Sequence, residues 1–154
     1  MPKNIVITGV CGFIGFSYAK YFMDSKKYNV IGLDNFDNYY SVKLKKKRLN
    51  ELKKRKNFKF FQKDINDKNI NKTFNNKIDF FFHFAAQAGV RYSAINPNKY
   101  IVTNVAGFTN ILNALKKKKI KKIFYASSSS VYDLKNSFPF KEDGNLKPMS
   151  LYGL

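Results

Sequence analysis

The chain has 154 residues, 44% of them hydrophobic, which is the length of one domain and enough to bury one core. A lone Cys11 excludes a disulfide framework and a cysteine-built metal cluster, so no metal is expected, and no stretch approaches the ~18 apolar residues of a membrane span. The formal charge of +19 invites a nucleic-acid reading, but arginine stands only at 48, 55 and 91, and surfaces that read bases or clamp phosphates lean on arginine. The surplus of Lys, Asn, Ile, Phe and Tyr points to AT-rich codons, and no specific nucleic-acid or membrane partner is expected.

In chain order, the first apolar run covers residues 4–8, close enough to the N-terminus to leave no room for a signal peptide, so the cytoplasm is the expected location. Ile14, Tyr18 and Phe22 then fall four apart and predict a helix. A second run covers 29–33, followed by a basic helix carrying Leu44, Arg48 and Leu52. A third covers 58–62, with a short helix expected over 67–74. A fourth covers 79–84, and after it Ile101, Val105, Phe108, Leu112 and Leu115 predict a helix over 98–117. A fifth run covers 121–126. Residues 133–151, with Pro139, Gly144 and Pro148, read as a loop. The lysine runs 43–48, 53–56 and 116–122 fall on helices or helix ends and read as solvated faces.

The five runs are mostly continuous and not alternating, as in strands buried on both faces. Strands alternating with helices imply a doubly wound α/β fold with a parallel sheet in the order 3-2-1-4-5, of Rossmann type. The first strand runs into Thr8-Gly9-Val10-Cys11-Gly12-Phe13-Ile14-Gly15. Here Gly9 permits the tight turn, Gly12 lets the backbone approach a pyrophosphate, and Gly15 lets the helix pack against the sheet. The helix start offers free N–H groups and a positive dipole end to phosphates. Asp34 closes the second strand about twenty residues on, where an acid accepts hydrogen bonds from ribose hydroxyls. It would repel a 2′-phosphate, and its neighbour is Asn35 and not arginine, so NAD is expected over NADP.

The spacing Gly9-x-x-Gly12-x-x-Gly15, with Phe13 and Ile14 inside it, resembles the extended short-chain dehydrogenase/reductase family. Further matches follow in order. Asp64-Ile65 looks like that family's adenine-contacting pair. His83-Phe84-Ala85-Ala86, with Gln87, looks like the strand end beside the dinucleotide. Asn104, Gly107 and Asn110 fall as in its Asn-x-x-Gly-x-x-Asn. Ser127-Ser128-Ser129-Ser130 looks like the strand end that carries the catalytic Ser or Thr. The resemblance covers essentially the whole chain. Asp34-Asn35-Phe36-Asp37-Asn38-Tyr39-Tyr40 and Gln87-Ala88-Gly89-Val90-Arg91-Tyr92-Ser93 make it closest to UDP-glucuronate 4-epimerases. UDP-galactose 4-epimerases and dTDP-glucose 4,6-dehydratases share the glycine loop.

The resemblance implies a nucleotide-sugar epimerase. NAD takes a hydride from C4 of the sugar, the 4-keto sugar turns, and the hydride returns to the other face. It places the general base at Tyr152, 24 residues past Ser128, beside Ser128 or Ser129. Gly9, Gly12, Phe13, Ile14, Gly15, Asp34, Asn35, Asp64, Ile65, Ala85, Ala86, Gln87, Asn104 and Ser127 would hold NAD. Arg91, Ser128 and Ser130 would meet UDP-glucuronate or a similar nucleotide sugar, with Arg91 on a carboxylate or the diphosphate. His83 is expected in a scaffold role and Cys11 to be inert. The family's lysine falls four residues after the tyrosine, beyond Leu154. Residues 1–154 are therefore expected to be the cofactor-binding domain, ending at about the fifth strand without the sugar-binding domain. Negligible activity is expected of the chain alone. In the family the long helix also packs in a homodimer, and that helix's usual partner has no counterpart here.

Overall fold

The computed structural model describes residues 1–74, 77–135 and 138–154. Five strands form one parallel sheet: β1 (Lys3–Thr8), β2 (Tyr28–Asp34), β3 (Phe58–Gln62), β4 (Lys77–His83) and β5 (Lys119–Tyr125). Their order is β3-β2-β1-β4-β5, as expected from the strand–helix alternation. The register aligns Thr8 with Leu33 and with His83, Asp34 with Gln62, and His83 with Tyr125. The carboxyl ends of all five strands thus share one edge, the place where open α/β sheets bind ligands.

Helix α1 (Phe13–Asp24) and α2 (Val42–Lys53) cover one face of the sheet. There Ile5, Ile7, Val30 and Phe82 pack with Ala19, Met23, Leu49 and Leu52. On the other face Val6, Ile31, Leu33 and Phe81 pack with Ile65, Ile70, Ile111 and Leu115. The split of Ile5 and Ile7 from Val6 follows the two-residue period of a strand. Each such side chain, fully buried, contributes roughly 1.5–3 kcal/mol of transfer free energy. Burial is most complete in β1, flanked on both edges and both faces, where Ile5, Val6 and Ile7 are fully buried.

Three helical stripes sit differently from the periodicity. In α1 the buried residues are Gly15, Ala19 and Met23, one position beyond Ile14, Tyr18 and Phe22. Small residues must face the sheet for Gly15 to reach the loop, so Ile14 and Tyr18 turn outward. Tyr18 still rests its ring on Phe82 and Phe84, with centroids 5.5 and 5.0 Å away. In α2 the inner face is Lys45, Leu49 and Leu52, and Leu44 is exposed. The 98–117 helix is one helical run in three parts: α4 (Pro97–Tyr100), a π-helical segment (Ile101–Gly107) and α5 (Phe108–Leu115). The wider π turn shifts the phase of all that precedes it. Tyr100, Gly107, Ile111 and Leu115 face inward, while Ile101, Val105 and Leu112 face outward.

Helix α3 (Val90–Ile95) was not expected, and the helix expected over 67–74 is a single 3₁₀ turn, Ile70–Thr73. The described residues between 133 and 151 form a loop, in which Leu146 bridges to Tyr132. Strand β5 departs from the both-faces-buried reading: every residue but Ile120 is exposed. It pairs with β4 along one edge and has no further strand among the described residues. No helix among the described residues is long and apolar enough to cross a membrane.

Candidate dinucleotide site

The glycine loop closes on itself at the carboxyl edge. Gly9 has φ of +67°, and a Cβ there would stand 2.8 Å from the Ala85 nitrogen. Only glycine serves both the left-handed turn and that approach. The Gly12 N–H donates to the Gly9 carbonyl at 2.9 Å, and Gly12 caps α1 without any side-chain oxygen. Gly15 lies against the Gly9–Val10 backbone with no room for a methyl group. Phe13 and Ile14 form the exposed first turn. The start of α1 is thus a set of unsatisfied N–H groups at a positive dipole end, which an anion satisfies.

Asp34 is buried beneath the loop. Its carboxylate accepts from the Cys11 N–H at 3.0 Å and from the Phe36 N–H at 2.8 Å. Asn35 donates its amide to Asp64 at 2.7 Å, which brings together the two loops that follow β2 and β3. Asp64 also accepts from the Asn66 N–H. Ile65 is buried under Gly107, where an added Cβ would stand 2.6 Å from its Cδ1. Burial, and then the nearby Asp34 charge, push the Cys11 thiol up to about 12. The thiol therefore stays protonated and a poor nucleophile.

The segment after β4 is anchored from both sides. The Thr8 hydroxyl oxygen accepts from the Phe84 and Ala85 N–H groups, both at 3.2 Å, and sits 2.9 Å from His83 Nδ1. With its lone pairs so used, the hydroxyl donates to Nδ1, which leaves the imidazole proton on Nε2. His83 stacks on Phe108 at 4.9 Å, and burial lowers its pKa to about 4. It is neutral near pH 7 and holds two strands in place, a scaffold role.

Asn104, in the π-helical segment, accepts from the Gln87 N–H at 2.8 Å and donates to the Gln87 carbonyl at 3.0 Å. The Tyr100 hydroxyl lies 2.5 Å from the Gly89 carbonyl oxygen and 2.7 Å from that of Ala88, and donates between them. These bonds hold Gln87 and its neighbours against the long helix. Ala85 is half-buried and Ala86 exposed.

The serine segment and Tyr152 also meet. Ser128 caps a short 3₁₀ turn by accepting from the Ser130 N–H, and its Oγ reaches Ser130 Oγ at 3.2 Å. A Cβ on buried Gly153 would stand 2.5 Å from the Ser130 carbonyl oxygen, so the turn around Tyr152 packs on the serine run. Tyr152 sets its ring edge-on to Tyr100, centroids 6.1 Å apart. Ser129 and Ser130 line a cleft of 190 Å³ with Val90, Tyr132, Leu134, Met149 and Ser150. Ser127 is exposed, as is Arg91 in the first turn of α3, adjoining the cleft residue Val90.

A family model described as GDP-mannose 4,6 dehydratase matches residues 6–154. The chain belongs to this family. Among its relatives within the family's range, a UDP-glucuronate 4-epimerase of Thermodesulfobacterium geofontis is 43% identical over 152 residues, covering 96% of this chain and 46% of the relative. The protein CapI of Staphylococcus aureus is 44% identical over 97% of this chain and 45% of its own length. Among solved structures, a UDP-glucuronic acid 4-epimerase from Bacillus cereus, in complex with UDP-glucuronic acid and NAD, superposes with a TM-score of 0.90 at 32% identity. The match covers 97% of this chain and 48% of that one. The chain spans about half the length of the curated relatives it matches. Family membership and the kinship with UDP-glucuronate 4-epimerases agree with the resemblance read from the motifs.

Several residues at the site were not legible as such. Thr8 looked like the end of a strand, yet it ties β1 to β4. Lys45 and Arg48 looked like a solvated helix face, yet both turn toward the glycine loop. Tyr39 and Tyr92 lie in the two strings that carry the resemblance and Tyr100 in neither, yet the three form one aromatic cluster. Only the last had a usable signal, because Tyr100 lies four residues before Asn104 on one helical run.

Proposed function

We propose that this chain binds NAD and is the cofactor-binding half of a nucleotide-sugar 4-epimerase of the UDP-glucuronate type. The observation that carries the reading is the uncapped start of α1, built on Gly9, Gly12 and Gly15 and faced by the Asp34 carboxylate. The residues present fit the group: close backbone approach and free N–H groups suit a pyrophosphate, and a buried acid suits a ribose diol. When bound, NAD supplies the acceptor and donor of hydride. Asn35, Asp64 and Ile65 line the adenine end, and Ala85, Ala86, Gln87, Asn104 and Ser127 the remainder. Asn104 acts there through the Gln87 backbone that it holds.

Tyr152 takes the proton from the sugar 4-hydroxyl as general base, with Ser128 or Ser129 hydrogen-bonded to the same hydroxyl. Ser130 and Arg91 meet the substrate from the cleft side, where Arg91 suits a sugar carboxylate. Unperturbed tyrosine ionises near pH 10, so the base needs cationic neighbours to work near neutrality. These 154 residues span about half the length of the relatives they match, and the reading gives them alone negligible turnover.

Calorimetry with NAD tests the cofactor reading, and absence of binding by the folded chain refutes it. An assay of the same preparation with UDP-glucuronate tests the second claim, and turnover at an ordinary enzymatic rate refutes it.

A further inference from the structure

A lysine stands beside the acid assigned to the ribose and an arginine against the glycine loop, and both come from α2 and not from the position after Asp34. Lys45 is buried, with its Nζ 3.8 Å from Asp34 Oδ1 and donating to the Asp37 carbonyl oxygen at 2.9 Å. Arg48 donates from Nη1 to the Cys11 carbonyl at 3.2 Å. Its guanidinium lies over the rings of Phe13 and Phe16 at 6.0 and 5.9 Å. Spaced three apart, Lys45 and Arg48 share one face of α2, and that face looks at the loop.

The remaining charges leave Lys45 available. The Asp37 carboxylate is taken by Lys99, whose Nζ is 2.9 Å away. Burial opposes ionisation of Asp37, but hydrogen bonds from Lys99 and the Tyr39 N–H outweigh it and hold that carboxyl below its usual range. Asp34 receives its two N–H groups from the backbone and meets Lys45 only at ion-pair distance. Burying an ammonium is unfavourable without partners, and Lys45 is held inward by the Asp34 carboxylate and the Asp37 carbonyl. Lys45, Arg48 and Lys99 thus stand near Asp34 and Asp37, and Asp64 is engaged by the Asn35 amide.

We propose that Lys45 and Arg48 form a latent site for the 2′-phosphate of NADP, closed only by the charge of Asp34. The proposal rests on the reading that the glycine loop holds a dinucleotide. In this arrangement cofactor choice is set by one carboxylate and not by a lack of cations. With Asp34 ionised, a 2′-phosphate meets a like charge across a buried, weakly screened gap. With that charge removed, the same phosphate meets an ammonium and a guanidinium, the pairing that makes strong charge-assisted hydrogen bonds.

The test is calorimetry of NAD and NADP on the full 154-residue chain and on Asp34→Asn, which keeps the shape and one acceptor oxygen. The wild-type chain is expected to prefer NAD. In Asp34→Asn the ratio of affinities should move toward NADP by about a hundredfold. Adding Lys45→Met or Arg48→Gln to Asp34→Asn should take back about tenfold of the NADP gain. The gain itself should shrink as salt is raised. A variant that weakens both dinucleotides equally, or an NADP gain that survives loss of both cations, overturns the proposal. Asp34→Ser, which removes the charge by a shorter side chain, decides the matter if the Asn variant does not melt cooperatively. A wild-type chain that binds neither dinucleotide refutes the underlying cofactor reading instead.

Discussion

Lowering the pH from 7.5 to 5 at constant ionic strength should destabilise the fold through His83 alone. The imidazole is buried, its Nδ1 accepts from Thr8, and its pKa lies at about 4 against 6.5 for an ordinary histidine. The folded state therefore favours the neutral form. Between those two values the unfolded chain binds more protons than the folded one, so stability falls as the pH falls. The contribution is fully present above about pH 6.5 and is lost on the way down to about 4. Protonation linkage over that gap corresponds to about 3 kcal/mol in all, with about 2 kcal/mol gone by pH 5. That is a sizeable fraction of the roughly 5–15 kcal/mol that holds a domain together.

The chain has one histidine, which makes the attribution clean. Carboxylates held below their usual range, such as Asp67 through its hydrogen bond from Lys63 and Asp79 through the Asn4 N–H, lose their contribution only at lower pH, as they protonate. Urea melts at several pH values measure the effect, with His83→Gln as the reference chain. The slope between pH 6.5 and 5 should vanish in that variant. An NMR titration of the single imidazole checks the cause directly. A titration midpoint near 6.5, or equal slopes in both chains, refutes the reasoning.

Three further outcomes follow from the geometry. Gly15→Ala puts a methyl group into the Gly9 backbone and should cost roughly 1–3 kcal/mol of stability, read by thermal melt, together with loss of NAD binding. Asn104→Leu strips the partners from the N–H and C=O of buried Gln87. It should cost about 2–4 kcal/mol, with Asn104→Asp intermediate because it keeps the acceptor. With a net charge of +19, heparin or mixed-sequence DNA should bind at low salt, with log affinity falling linearly in log salt and no sequence preference. A preference that persists at high salt would contradict the reading of the charge as composition.

The central strands were legible because buried parallel strands are mostly continuous apolar runs, and β5 was legible from its Ile-Phe-Tyr end although it lies exposed. The glycine loop was legible for a different reason. Its spacing answers local steric demands at Gly9, Gly12 and Gly15, and these demands exist before any tertiary contact forms. The helical faces were less so. Ile14 and Leu44 fit an apolar stripe as well as their neighbours do, and periodicity cannot tell which of two adjacent faces a sheet will take. In α1 the close approach at Gly15 chose the face. In the long helix one π-helical segment reset the phase, and Ile101 and Val105 turned outward.

By itself, then, the sequence determined the strand set, the parallel order, the phosphate-binding turn and the acid at the end of β2. Each depends on residues close together in the chain or on burial common to all such sheets. Tertiary structure alone decided what surrounds that acid. Lys45 and Arg48 belong to a run of lysines that reads as solvent-facing, and only the packing of α2 against the sheet turns two of its cations toward Asp34. Thr8 and His83 are 75 residues apart, and no local pattern announces a hydroxyl that will hold both strand ends. Long-range pairing of polar groups carries little sequence signal, because a buried hydrogen bond needs only the right atom at the right distance.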